Sequence, residues 1–260
     1  MNTGILPFEP RGRFEGMINI LRFNWPMYLR ALVVTLGIGI LVLVFDFPAS
    51  IKVIGACATL VSIFYLAISL VVSHWIYDCS TLYSLTWLQR AIPIAPRKIA
   101  NLTAGFDETT LRLRSKYPSA IIETLDFYNP QLHTEPSIAR ARVHRPPLPE
   151  TIQISSGNLG LPPESTDLVL GILALHEIRQ PKEQAALFGA INTALRPHGR
   201  CVIVEHLRDL PNFLAFGPGF FHFFSRRAWL RASQKQALHV VDEFSLTPFV
   251  HVFVLEKSNV

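Results

Sequence analysis

The chain predicts an α/β domain, a mainly parallel sheet with helices on both faces, carried behind an apolar two-helix hairpin. Three observations predict this. Apolar residues are concentrated between Met27 and Ile76 rather than spread along the chain. From Lys98 onward, short apolar runs alternate with helix-like segments, the pattern of a parallel sheet flanked by helices. Gly, Asp and His residues recur where those runs end, the edge at which such sheets bind ligands.

With 260 residues, the chain has room for one large domain and a short appendage. Apolar residues make up 50% and charged residues 17%, fewer charges than an ordinary soluble chain carries. Lys and Arg outnumber Asp and Glu, 24 to 19. Basic residues cluster at Arg11, Arg13, Arg22 and Arg30, at Arg90, Arg97 and Lys98, and at Arg140, Arg142 and Arg145. None of these runs interleaves aromatics as a nucleic-acid module does, so no nucleic-acid partner is expected. Two of the clusters flank the apolar region, which fits attraction to an anionic membrane surface. Cys57, Cys79 and Cys201 show no C-x-x-C or Cys/His spacing, so neither a disulfide framework nor a metal site is expected.

Val53 to Ser73 carries no charge and as a helix matches the thickness of a bilayer core. Ala31 to Phe45 is shorter and reaches across if Arg30 snorkels and Trp25 and Tyr28 sit at the interface. Trp75 and Tyr77 make the matching interface after the second span. The Asp46–Lys52 connection makes a tight hairpin, and Gly55 with Thr59, like Ala58 with Ser62, lets the helices approach. Arginines precede the first span and follow the second, with only Lys52 between. The positive-inside bias then puts both termini in the cytoplasm, as in a multi-pass protein of the inner (cytoplasmic) membrane whose catalytic domain faces the cytoplasm. The expected organisation is a cytoplasmic N-terminal segment over 1–26, a transmembrane hairpin over 27–78, a connecting helix and linker over 79–96, and the α/β domain over 97–260. The connecting helix is Ser80 to Ile92, N-capped by Ser80, with Leu82, Leu85, Leu88 and Ile92 at helical spacing and Pro93 ending it.

Seven strands are expected, at 98–103, 121–125, 152–155, 167–172, 201–205, 239–244 and 249–255. Helices are expected at 108–116, 137–143, 182–195 and 225–237. At the strand ends stand Gly105, where a backbone must approach a ligand, and Asp126, about twenty residues on, where a carboxylate accepts from ribose hydroxyls. Gly157 and Asn158, Gly171 and His176, and Glu205 and His206 follow later strands.

Three stretches carry a resemblance: LPPESTDLVLGILALHEI at 161–178, LRPHGRCVIVEHL at 195–207 and VVDEFSLTPFVHVFVLEK at 240–257. They resemble the class I S-adenosylmethionine (SAM)-dependent methyltransferases, in particular the methyltransferase type 11-like group that includes ubiquinone and menaquinone methyltransferases. The resemblance implies a Rossmann-like seven-stranded sheet of order 3-2-1-4-5-7-6 and SAM as cofactor. The first loop of that family reads Asp-x-Gly-x-Gly-x-Gly; here NLTAGFD at 101–107 keeps only Gly105, with Asn101, Thr103 and Asp107 in the other places. Carried over position by position, the cofactor residues are Thr103, Gly105, Asp107, Asp126, Phe127, Asn158, Leu159 and Gly171. Asn158 would accept from the adenine amino group and Asp107 would assist the ammonium of SAM.

Methyl transfer needs an aligned nucleophile and, for a hydroxyl, a base. His176, Glu177, Glu205 and His206 stand at the right edge, with His176 as the base. The alternative is a packed histidine that orients its loop. His133 and Glu135 lack a third ligand nearby and read as a loop feature. Residues 210–225, rich in Phe and without a clean period, suggest an apolar lid over the substrate or an interfacial contact. The expected function is methyl transfer, on oxygen or carbon, to a lipophilic small molecule reached from the membrane; the reading admits a protein partner or a homodimer. The alternatives are a catalytically weakened scaffold or binding subunit at the membrane and an enzyme with a protein acceptor.

Overall fold

The computed structural model describes residues 11–258, so residues 1–10 of the expected N-terminal segment lie outside the described residues. The apolar region forms α1 (Glu15–Val44) and α2 (Ala49–His74), two helices packed against each other. Both are long and apolar enough to cross a membrane, and almost none of that surface is buried inside the protein. A Cβ on Gly55 would collide with the Val42 side chain, and Gly39 faces Thr59, so small residues set the helix–helix approach.

Helix α1 begins well before Ala31, where the first span was expected, and runs through Pro26. The reason is a tertiary cap. The Asp78 carboxylate accepts from the Gly16 N–H at 2.6 Å and the Met17 N–H at 3.1 Å, satisfying first-turn amides that have no partner within the helix. Asp78 lies on a π-helical turn, Trp75–Cys79, that continues α2. Tyr77, on the same turn, gives its hydroxyl to His206 rather than to a lipid interface.

The expected Ser80–Ile92 helix shrinks to α3 (Leu88–Ala91). Ser80 Oγ bonds the Ile76 carbonyl and the Leu82 N–H, and Ser84 Oγ bonds Thr81 and Thr86; such local bonds compete with helix formation. The four apolar residues Leu82, Leu85, Leu88 and Ile92 are nonetheless buried.

The sheet has β1 (Lys98–Thr103), β2 (Ile121–Asp126), β3 (Ile152–Gln153), β4 (Thr166–Ile172), β5 (Leu195–His206), β6 (Leu238–Thr247) and β7 (Val250–Lys257). Its order is β3-β2-β1-β4-β5-β7-β6, as expected. The first five strands are parallel, and β7 is antiparallel to both β5 and β6. The helices α4 (Thr110–Lys116), α5 (Pro136–His144), α6 (Pro181–Ala194), α7 (Leu210–Phe216) and α8 (Arg226–Gln234) fall between strands. On one face Val169, Ile203 and Phe253 pack with Phe188 and Ile191 of α6 and Trp229 of α8. On the other, Leu168, Val202 and Val252 pack with Ile76, Leu82, Leu85 and Leu88. The segment that follows the hairpin is therefore part of the core. Cys201 is buried in β5, and burial pushes its thiol up to about 12, which leaves it an inert packing group.

Candidate active site

The carboxyl edge of β1 and β2 forms a cleft in two parts. The larger is a cavity of about 530 Å³ lined by Phe127, Tyr128, Arg142, Ile154, Ser155 and Glu183. The smaller, of about 50 Å³, is lined by Tyr83, Thr103, Phe106, Asp107, Glu108 and Leu173 among others. Gly105 turns the chain above β1 at φ +93°, a left-handed conformation that favours glycine. Thr103 Oγ1 accepts the Gly105 N–H at 2.7 Å and fixes the turn.

Asp126 closes β2 and is 1% exposed. One of its oxygens accepts the Tyr128 N–H at 2.9 Å, and the other accepts from Arg142 Nη1 at 2.6 Å. Arg142 comes from α5, stacks its guanidinium 4.5 Å from the Tyr128 ring centre, and fills the space where a Cβ on Gly105 would lie. The basic cluster at 140–145 thus turns inward. Arg140 bonds the Phe23 carbonyl of α1, Arg142 bonds Asp126, and Arg145 bonds Glu15. Sequence reasoning missed Arg142 because nothing in the run ARARVHR sets one arginine apart from its neighbours.

The altered first loop is rewired rather than broken. The Asn101 side-chain amide donates to Thr109 and Thr110 hydroxyls, both at 2.9 Å. Asp107 Oδ1 accepts the Thr109 and Thr110 N–H groups at 2.8 and 3.0 Å. Asp107 Oδ2 is buried with no partner among the described residues. An orphaned carboxylate oxygen beside a small cavity requires a donor, and the ammonium of SAM is one. Over this cavity, Tyr83 donates to Glu108 at 2.6 Å, and Arg11 pairs with Glu108 and stacks on Tyr83 at 4.2 Å. The residues fit the expected cofactor: Asp126 would take the ribose, the Phe127–Tyr128 cavity the base and Asp107 the ammonium. Arg142 must first release Asp126.

Other expected residues stand elsewhere. Asn158 is exposed, its side-chain oxygen already accepting the Gly160 N–H at 2.9 Å, and Ser155 and Ser156 line the larger cavity in its stead. Leu159 is core. Gly171 sits within β4 against the Leu175 side chain.

His176 follows β4 on a 3-10 turn, Leu175–Glu177. Its Nδ1 meets Glu205 Oε2 at 2.7 Å and its Nε2 meets Glu177 Oε1 at 3.1 Å. Burial alone would lower this imidazole, but the two carboxylates outweigh it and push it up to about 10. Burial would raise Glu177, yet His176 and His222 hold its carboxyl well below the usual range. In this arrangement both ring nitrogens of His176 are engaged, and no lone pair is free to take a proton. His206 is pushed down to about 4 by burial. Its Nδ1 donates to the Phe249 carbonyl and its Nε2 accepts from the Tyr77 hydroxyl, both at 2.9 Å. Stacked at 4.8 Å on Phe223, it joins the end of the hairpin to the sheet.

The Phe-rich segment folds as α7 followed by a 3-10 turn, Gly217–His222. Phe213 meets Tyr65 of α2 at 6.4 Å, and Gly217 packs against the same ring. Leu210, Leu214 and Phe221 remain exposed beside α2 or along the same segment.

Residues 102–203 match a family model described as a methyltransferase domain. No curated protein matches the chain. Among solved structures, a Pyrococcus horikoshii protein is similar at TM-score 0.51 and 13% identity, over 68% of this chain and 89% of its own. A SAM-dependent methyltransferase from Aquifex aeolicus follows at 0.50 and 12%, over 66% and 87%. Human N-acetylserotonin methyltransferase in complex with SAM is similar at 0.50 and 13%, over 75% of this chain and 56% of its own. At these identities the likeness is one of fold.

Proposed function

We propose that this chain, whose residues 102–203 match a methyltransferase-domain model, is a SAM-dependent methyltransferase held at a membrane by α1 and α2 that methylates a lipophilic small molecule, on oxygen or carbon. The carrying observation is the seam between α2 and the Phe-rich segment, where Tyr65 packs on Phe213 and Gly217 while Leu214 and Phe221 stay exposed. An apolar acceptor leaving the bilayer beside α2 would meet this apolar seam first. SAM, when bound, supplies a methyl group on an activated sulfonium. Asp126, Asp107 and the Gly105 turn would hold it. Leu173, in a left-handed conformation at φ 50°, closes the smaller cavity from the β4 side. His176 and Glu205 form an ion pair, Glu205 fully buried, that ties the turn after β4 to the end of β5.

A cytoplasmic-facing domain in the inner membrane follows from the same arginine placement as in the sequence, with Arg30 before the hairpin tip and Arg90 and Arg97 after it. The test is to incubate detergent-solubilised protein with methyl-labelled SAM and a lipid extract. Label partitioning into the organic phase, absent from an Asp126→Ala control, is expected. Label confined to water-soluble compounds or to a protein band overturns the lipophilic acceptor.

A further inference from the structure

Outside the cofactor cleft, the structure gathers a second set of chemical groups. One ligand atom each from His176, Glu177 and His222 come together within 4.8 Å of one another, with Glu177 Oε1 3.1 Å from His176 Nε2 and 3.8 Å from His222 Nε2. His176 and Glu177 are neighbours on one turn, and His222 arrives from the Phe-rich turn, more than forty residues on, so spacing along the chain gave no sign of the set. We propose that His176, Glu177 and His222 bind a divalent transition-metal cation of the zinc type.

Four observations carry this. The donor set, two imidazoles and one carboxylate, is the set that leaves a fourth position open on such a cation, with bonds of about 2.0–2.2 Å. Small side-chain rotations bring ligand atoms already this close to that range. Second, Glu177 is unsatisfied. Its side chain is 8% exposed, and its Oε2 has no partner among the described residues, although a buried carboxylate oxygen requires one.

Third, the outer contacts are in place. His176 Nδ1 lies 2.7 Å from Glu205 Oε2, and Glu205 Oε1 also accepts the His176 N–H at 3.2 Å. A metal-bound histidine gives its other ring N–H to a carboxylate in this way, which fixes its orientation and raises its basicity. His222 is held as firmly. Arg179 bonds its carbonyl, and Arg208 bonds the carbonyls of Phe221 and Phe223 on either side, at 3.0 and 2.8 Å.

Fourth, the charges call for a dication. Glu177, Glu205 and Glu135, the last 3.6 Å from His222, bring three negative charges. Arg179, whose Nη2 lies 2.6 Å from His222 Nδ1, brings one positive charge. The difference, three minus one, is two, which a divalent cation cancels. On binding, the cation replaces the proton between His176 and Glu177, and Arg179 Nη2 yields the His222 ring while Nη1 stays on the carbonyl.

The experiment uses untagged full-length protein in detergent, stripped with a chelator and dialysed. Zn²⁺ is titrated by calorimetry and Co²⁺ by visible absorption, for the parent and for His222→Gln, Glu177→Gln, Glu205→Gln and His198→Ala. One saturable equivalent is expected, with ligand-field bands for Co²⁺ that report nitrogen coordination. His222→Gln and Glu177→Gln weaken binding by at least about 100-fold, Glu205→Gln by about 10- to 100-fold, and the exposed His198→Ala leaves it unchanged. No saturable binding by a parent sample that melts cooperatively overturns the site and leaves an ion-pair lock between the β4 turn and the Phe-rich turn. Binding that survives both ligand substitutions, or that falls equally with His198→Ala, overturns it as well. SAM binding at Asp126 is independent of this outcome, so the cofactor reading and the metal site fail separately.

Discussion

On the proposed reading, the Arg142–Asp126 pair gates the cofactor cleft. Their bond, at 2.6 Å with Asp126 1% exposed, occupies the carboxylate oxygen that the ribose hydroxyls of SAM would use. Removing the guanidinium has two effects of opposite sign. Arg142→Ala strands a buried carboxylate, so stability falls by about 3 kcal/mol. It also removes a charge-assisted bond that SAM must otherwise displace, so SAM binds roughly tenfold tighter. Calorimetry and thermal melts on one variant measure both, and a parallel loss of stability and affinity contradicts the gate. His206 makes a pH prediction. Its folded value, about 4, lies below its ordinary 6.5, so the unfolded chain takes up a proton that the folded chain refuses. Stability therefore falls as pH drops from 6.5 to 4, by up to about 3 kcal/mol. A His206→Gln variant, compared by denaturant unfolding across that window, shows a flatter profile.

At the scale of elements, α1 ties the hairpin to the cofactor loop. Phe23 is buried, with its ring 5.1 Å from Phe106 of the first loop and 6.0 Å from His144 of α5. Arg140 of α5 reaches the Phe23 carbonyl. A Phe23→Ala substitution leaves a void at this junction and destabilises by about 3 kcal/mol. Because α5 also carries Arg142, the variant shifts SAM affinity from a distance, which Phe14→Ala, at an exposed position near the start of the same helix, does not. Equal SAM affinity in both variants separates α1 from the cleft. Asp78 serves the same element as the cap of α1; its loss frees two first-turn amides and costs about 1–2 kcal/mol.

At the scale of the whole molecule, the hairpin's exit is structural. Ile76, Leu82, Leu85 and Leu88 cover one face of the sheet, so a chain begun at Arg97 exposes that face, whereas a chain begun at Trp75 retains its cover. The chain begun at Trp75 is expected to melt cooperatively and the chain begun at Arg97 to lose its near-ultraviolet dichroism; cooperative melting by both removes the segment from the core. The sheet was legible in the sequence because its strands are short apolar runs with turn residues between, and even the order followed from resemblance. Asp126 and Gly105 were legible as strand-end residues, and Asp107 followed from the resemblance; the first two stand at the carboxyl ends of β2 and β1. What was not legible depends on contacts across the chain: the start of α1, capped by Asp78; the broken Ser80–Ile92 helix, where serine hydroxyls bond locally; the inward turn of Arg142; and the approach of His222 to His176. Asn158 looked like an adenine contact by position alone, yet its oxygen serves the Gly160 turn.

In the proposed cofactor site SAM spans Asp126 and Asp107, and Arg142 is the group that moves aside. The most direct measurement is calorimetric titration of SAM and its demethylated product into full-length protein in detergent, beside Asp126→Ala and Arg142→Ala. The parent is expected to bind saturably, with binding weakened roughly 10- to 100-fold by Asp126→Ala and strengthened by Arg142→Ala. Binding that is absent from well-folded parent protein, or indifferent to both substitutions, contradicts it.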